Sequence, residues 1–250
     1  SVARLKRLNA KLVQAQESLL RSEKLASVGR LAAGVAHEIG NPISIILGYL
    51  ELLDQGGVSA AEQREYLEDI RTATARINQI IRDLLDFSRP IRDEGHTVDV
   101  CALIKSSVKL VRTHKYLRYA DIVLELPPEP LVAFMNAGRL QQVFVNLLMN
   151  AGDATQGRGR ITVRAEGTAT RVRVIVKDEG PGIPKSEHVR VFDPFYTTKD
   201  PGEGTGLGLA ICYNLVTAFE GTIRIDSESG EGAMFTVELW RPAARAAAAV

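Results

Sequence analysis

Apolar positions early in the chain recur at intervals of three and four residues. Leu5, Leu8, Leu12, Ala15 and Leu19 form a heptad seam, which predicts an incoming coiled-coil helix. Past Leu25 and Val28 the seam turns small and glycine-rich. It resumes as Ile39, Ile43, Ile46, Leu50 and Leu53, with Ala36 on the same stripe. Gln55-Gly56-Gly57-Val58 breaks the pattern. Ser59 with Glu62 is a capping-box pair and predicts the start of a second helix. The seam of that helix is Leu67, Ile70, Thr74, Ile77, Ile81 and Leu84, with Ile80, Leu85 and Phe87 beside it. Two helices with apolar faces this wide cannot cover each other alone. A four-helix bundle made by two copies of the chain would bury both.

The pattern changes near Ser88-Arg89-Pro90, where a helix is expected to stop before proline. Residues 1–92 hold 6 of the 21 glycines and 2 of the 10 prolines, so turn formers concentrate in the remainder. There the chain reads as a mixed domain. A helix is expected over Asp99–Thr113, with strands at Ile122–Leu124 and Leu131–Phe134. Asn136 would cap a helix running to about Thr155. Arg160–Glu166 and Arg171–Lys177 alternate as a hairpin, a helix follows over about Thr205–Phe219, and strands at Thr222–Ser227 and Ala233–Leu239 close the domain. Ala243 to Val250 has no pattern and is expected to be a frayed tail. The expected organisation is a linker helix (1–24), a helical hairpin (25–92), an α/β domain (93–242) and the tail (243–250).

Composition adds exclusions. The 250 residues are 45% hydrophobic and 24% charged, the balance of a folded chain and not of a disordered one. A net charge of +1 provides no field that would recruit nucleic acid. Cys101 and Cys212 are too few for a disulfide framework or a metal cluster. No apolar run approaches membrane-spanning length. The chain begins at Ser1, so it is expected to be a piece of something longer. The basic start (Arg4, Lys6, Arg7, Lys11) fits either a solvated helix face or a nearby membrane surface.

His37 lies beside Glu38, with Asn41 one turn further along the same helix face. If Ala36, Ile39, Ile43 and Ile46 are buried, His37 lies on the flank and faces water. There a neutral imidazole nitrogen is available as nucleophile or base. An exposed histidine without a task is the plainer alternative. It leaves unexplained Gly34, Gly40 and Pro42, which weaken the middle of a strong helix. Pro42 cannot donate to the Glu38 carbonyl, so the helix is expected to bend there.

Two glycine-rich stretches, Asp178–Pro184 and Gly202–Leu209, suggest a phosphate cradle near a helix start. Neither matches a P-loop or a dinucleotide fingerprint. Asn146 and Asn150 stand four residues apart, opposite apolar Val143, Leu147 and Leu148. With Asp153 nearby, their amide oxygens suit a Mg2+ that keeps most of its waters and bridges phosphates. Thr197, Thr198 and Lys199 lie between the glycine motifs, on a stretch that reads as a phosphate-contacting lid.

Together these motifs resemble the cytoplasmic core of the bacterial two-component sensor histidine kinases. His37–Pro42 resembles their H box, Asn146–Ala154 the N box, Asp178–Gly182 the G1 box, Val191–Phe195 the F box and Gly204–Leu209 the G2 box. The resemblance implies an α+β chain: a two-helix hairpin forming a dimeric four-helix bundle, then an α/β-sandwich ATP-binding domain of the gyrase and Hsp90 type. It implies ATP and Mg2+ as ligands, His37 as phosphoacceptor and Glu38 as its base. Asn41 would position water for dephosphorylating a response regulator. Asp178 would bind the adenine amino group, and Asn146 and Asn150 would hold Mg2+. Gly180, Gly182, Ile183, Gly204, Thr205, Gly206, Leu207 and Gly208 would shape the nucleotide site and its lid. Asn146 replaces the catalytic Glu of the water-hydrolysing relatives, and an amide cannot act as a general base. Gly40 departs from the larger polar residue common at that H-box position. Expected partners are a second copy and a response-regulator receiver domain, with no nucleic acid. This stretch is expected to be cytoplasmic, any attachment to the inner membrane coming through segments outside it. A gyrase-type ATPase and an inactive dimeric scaffold are the rival readings.

Overall fold

The computed structural model describes residues 34–88, 95–199 and 204–248. The expected seam of residues 1–24, the basic start and Arg89-Pro90 lie outside them. The chain forms two compact units. One is the helical hairpin through Arg82 with Lys199–Thr205; the other comprises Asp83–Thr198 and Gly206–Val250.

In the helical unit, α1 is helical over the described residues 34–55 and runs through Pro42. It ends where the sequence changes to Gly56 and Gly57, whose φ values of 70° and 81° only glycine adopts freely. α2, Ala60–Ser88, starts on the reciprocal capping box. The Ser59 N–H donates to Glu62 Oε2 at 2.8 Å, and the Glu62 N–H donates to Ser59 Oγ at 3.3 Å. Burial departs from the expected seams. Within one chain Ala73 and Ile80 are buried, whereas Ala36, Ile43, Leu67 and Ile81 are exposed. Ile45, Leu47, Leu50, Leu52 and Leu85 are exposed as well. Each helix has a single neighbour in the hairpin, so one line of side chains is covered and the flanking apolar line is left bare.

The second unit contains β1 (His96–Asp99), α3 (Val100–Val111), β2 (Asp121–Glu125), β3 (Val132–Met135), α4 (Ala137–Thr155), β4 (Arg160–Gly167), β5 (Arg171–Asp178), α5 (Gly208–Ala218), β6 (Thr222–Ser227), β7 (Ala233–Trp240) and α6 (Pro242–Ala248). Two 3-10 turns, Lys185–Glu187 and Arg190–Phe192, lie between β5 and α5. The main sheet has the order β2-β4-β5-β7-β6; β2 and β4 are parallel and the other pairs antiparallel. A parallel pair needs a long crossover, which α4 supplies between β3 and β4. β1 pairs with β3 in a separate two-stranded sheet.

Alternation decides the layers. Ile161, Val163 and Ala165 of β4, Val172, Val174 and Val176 of β5, and Phe235, Val237 and Leu239 of β7 are buried in one core with Phe144, Leu147 and Leu148 of α4 and Leu215 and Val216 of α5. Several residues between them carry charge. Arg164 pairs with Glu125 at 2.6 Å, and Arg173 with Glu166 and Glu238 at 2.9 and 2.8 Å. Pairs this exposed contribute little stability, but they keep that sheet face polar.

Three expectations need correcting. His96–Asp99 is a strand that the sequence pattern missed, being only four residues long. The helix expected from Thr205 begins at Gly208, so most of the second glycine motif is loop. The expected frayed tail is helical through Ala248. Arg245 anchors it, its guanidinium 4.2 Å from the Phe134 ring centroid. Among the described residues no helix is long and apolar enough to cross a membrane.

Candidate functional site

His37 is exposed on α1, and Glu38 and Asn41 are partly buried. The flank placement expected for the imidazole therefore holds in the isolated hairpin. It does so although Ala36, placed on the buried stripe, is itself exposed. Gly40 has open space where a Cβ would stand, and its carbonyl accepts a 3.0 Å hydrogen bond from Ser44 Oγ.

In the sheet unit, Asp178 ends β5 and is only 3% exposed. Its Oδ1 accepts from the Gly180 N–H at 2.9 Å and the Ala233 N–H at 3.3 Å. Burial pushes the carboxyl above its ordinary value, and these two backbone donors act against the rise. Both donors use one oxygen, which leaves Oδ2 as an acceptor for a ligand N–H. The following loop is held by close approach. Gly180 has the Ala154 Cβ and Asp178 Oδ1 each 2.8 Å from where a Cβ would sit. Gly182, at φ 72°, has the Glu228 carbonyl oxygen in that place. Ile183 is fixed by its backbone, donating to Ser227 Oγ at 2.8 Å.

Asn146 and Asn150 lie on α4, which Asn136 caps by accepting from the Arg139 N–H at 3.1 Å. Asn146 Nδ2 donates to the Gly208 carbonyl at 3.2 Å, tying the N-box helix to the first turn of α5. The same amide reaches the buried Cys212 thiol, whose burial pushes it up to about 12. With Nδ2 thus engaged, Oδ1 is the atom able to face a cation, and the donor set fits a hard ion held mostly by phosphates and water. Asp153 instead faces His114, Oδ1 to Nε2 at 4.0 Å.

Phe195, on the stretch expected to be a lid, meets Gly206 of the second glycine motif. The Phe195 N–H donates to the Gly206 carbonyl at 3.0 Å, with Phe195 at φ 65° and Gly206 at φ 63°. A non-glycine residue in this region is strained and persists only where its surroundings hold it. Thr197 and Thr198 lie on the segment between these anchors, and Leu207 is fully buried at the start of α5. Lys199, Gly204 and Thr205 are grouped with the helical unit, where the Gly204 carbonyl accepts from Arg76 Nη2 at 3.3 Å.

Sequence reasoning passed over Ser227, Gly232 and Ala233, which support the Asp178 loop from the β6–β7 hairpin. Ser227 Oγ donates to the Gly232 carbonyl at 2.6 Å while accepting from Ile183. Gly232, at φ 79°, has the Asp178 carbonyl oxygen where a Cβ would stand. Both strands of this hairpin were expected; the closely spaced Gly230 and Gly232 between them are the signal that could have marked its turn as a close backbone neighbour.

Comparison with known proteins follows the same division. Residues 27–92 match the family model of the His Kinase A (phospho-acceptor) domain. Residues 135–243 match that of the histidine kinase-, DNA gyrase B-, and HSP90-like ATPase. The chain is 38% identical over 229 residues to the signal transduction histidine-protein kinase AtoS of Escherichia coli K12, covering 90% of this chain and 37% of that protein. It is 36% identical to the sensor histidine kinase ZraS of the same strain, over 91% of this chain and 48% of the relative. The chain thus spans about half or less of these relatives' length. Among solved structures, the histidine kinase ThkA in complex with the response regulator protein TrrA aligns at a TM-score of 0.77 and 29% identity, over 91% of this chain and 66% of that one. The catalytic domain of ThkA alone aligns at 0.54 and 32%, over 60% and 97%. The chain belongs to the two-component sensor histidine kinases and carries the phospho-acceptor and ATP-binding domains of their catalytic core.

Proposed function

We propose that this chain is an ATP-dependent protein-histidine kinase acting as a homodimer, with His37 as phosphoacceptor and a response-regulator receiver domain as the next acceptor. The observation that carries the reading is an exposed His37 beside a carboxylate, on a chain whose second domain presents one open oxygen of buried Asp178. Asp178 Oδ2 accepts from the adenine amino group. Gly180, Gly182 and Ile183 hold the base edge, and Thr197, Thr198, Gly206 and Leu207 contact the phosphates. Asn146 Oδ1 and Asn150 would hold Mg2+, which neutralises phosphate charge when bound. One imidazole nitrogen of His37 attacks the γ-phosphorus. A P–N bond forms, the bond to the β–γ bridging oxygen breaks, ADP leaves, and Glu38 takes the proton from the other nitrogen. Asn146 in place of a carboxylate leaves water without a general base at that position. The exposed apolar lines of α1 and α2 are the surface a second hairpin would bury. Asn41, one turn from His37, would orient water during regulator dephosphorylation.

Incubation with γ-labelled ATP and Mg2+ is expected to give acid-labile, base-stable protein label that His37→Gln abolishes. Equal labelling of His37→Gln would refute the assignment. Rapid ATP hydrolysis without protein label would instead favour a gyrase-type ATPase.

A further inference from the structure

One stripe of α2 turned in from solvent runs through Ala73, Arg76, Ile77 and Ile80, so a charged residue occupies a position suited to an apolar one. Its nearer partner is Glu38 on α1, and its second is the Gly204 carbonyl, which accepts from the same Nη2 at 3.3 Å. Arg76 Nη2 donates to Glu38 Oε2 at 2.7 Å, with the two side chains 16% and 15% exposed. By contrast, the Arg160–Asp121 pair of the sheet unit is 56% and 59% exposed. Arg76 Nε is buried with no hydrogen-bond partner among the described residues. The shorter, charge-assisted contact of the guanidinium is the one to the carboxylate, while one of its own donors goes unmet. A pair withdrawn from water costs desolvation, and a packed apolar residue at this site would stabilise the hairpin at least as well. Stability alone gives no reason for the arrangement, whereas the place of Glu38 beside His37 does.

We infer that Arg76 is a positioning residue for phosphoryl transfer to His37. Its guanidinium holds the Glu38 carboxylate through Oε2, so that Oε1 is left to receive the imidazole proton. This rests on the reading of Glu38 as the base of His37; Arg76 acts through that carboxylate, and its further contact is to the Gly204 backbone carbonyl, which a side-chain substitution at Glu38 leaves in place.

The test is a double-mutant cycle of Arg76→Ala and Glu38→Gln in the 250-residue chain, following single-turnover labelling from γ-labelled ATP with Mg2+. Each single variant is expected to slow labelling by roughly tenfold or more at saturating ATP, within the range of general-base effects, and Glu38→Gln to leave KM for ATP unchanged. In the Glu38→Gln background, Arg76→Ala is expected to add less than roughly a threefold loss, because residues acting through one another are not additive. Arg76→Lys, which keeps the charge, is expected to recover most of the rate. Fully additive losses would show that Arg76 acts apart from Glu38 and would overturn the inference. So would a parental rate for Arg76→Ala beside a slow Glu38→Gln, a result that leaves the base reading standing. A parental rate for Glu38→Gln would remove the base reading itself. If thermal melting shows Arg76→Ala unfolded, Arg76→Gln completes the same cycle.

Discussion

Replacing Asp178 by Asn should separate nucleotide recognition from folding. The amide keeps an oxygen for the Gly180 and Ala233 N–H groups, which stand 2.9 and 3.3 Å from Asp178 Oδ1. It places an NH2 where Oδ2 stood, so a donor would meet the donor amino group of adenine. The lost charge-assisted hydrogen bond is worth about 1.5–3 kcal/mol. At about 1.4 kcal/mol per decade, that weakens binding roughly 10- to 150-fold. Folding should respond in the opposite sense. The Asp178 carboxyl is raised by burial above its ordinary 3.8, so the folded chain holds this proton more tightly than the unfolded one. Its contribution to stability is therefore greatest in acid, falls as pH rises from the unfolded value through the raised folded value, and is level above it. Asn has no charge to bury and lacks that fall. At neutral pH the variant is expected to match or exceed the parent in urea unfolding. Titration calorimetry with ADP and denaturation between acid and neutral pH measure the two halves. Parental ADP affinity would refute the adenine assignment, and a variant clearly less stable at neutral pH would refute the burial argument.

Gly182 in the Asp178 loop and Gly230 in the β6–β7 hairpin allow a matched comparison. Gly182→Ala and Gly230→Ala both place a side chain at positive φ, which costs about 1–2 kcal/mol. Only Gly182 also has a carbonyl oxygen in the way, so its Tm should fall further, and equal falls would count against the close approach. Cys101 and Cys212 are both buried, and Cys212 is pushed up to about 12 by burial. At pH near 8, neither should react with a thiol-disulfide reagent until the chain is unfolded; prompt modification of Cys212 would contradict its placement under Asn146. Asn41→Ala should leave labelling of His37 nearly intact while slowing loss of phosphate from the regulator, and an unchanged rate would remove Asn41 from that step.

Local physics carried much of this protein's structure into its sequence. The Ser59–Glu62 capping box, the Asn136 cap, the glycine break after Gln55 and the alternation of Arg171–Lys177 each depend on neighbours a few residues apart, and they appear where the pattern puts them. His37 is exposed as expected, although Ala36 and Ile43 of the seam from which that was argued are exposed within one chain as well. Five short motifs in order named the candidate site residues, because each motif is local. Elements set by distant contacts were not legible. The β1 strand exists through its pairing with β3, and α6 is held by Arg245 against Phe134. Which of two adjacent apolar lines on α2 faces α1 follows from hairpin packing and not from spacing, so Ala73 and Ile80 are buried while Leu67 and Ile81 are not. Ser227 and Gly232 reach the Asp178 loop only because β6 and β7 bring them there, and Arg76 meets Glu38 only because the hairpin folds. Sequence alone determined which groups could do chemistry and the local elements that carry them. Tertiary structure decided which oxygen of Asp178 is left open, which amide atom of Asn146 is used, and what holds Glu38, because those follow from backbone and side-chain donors remote in the chain.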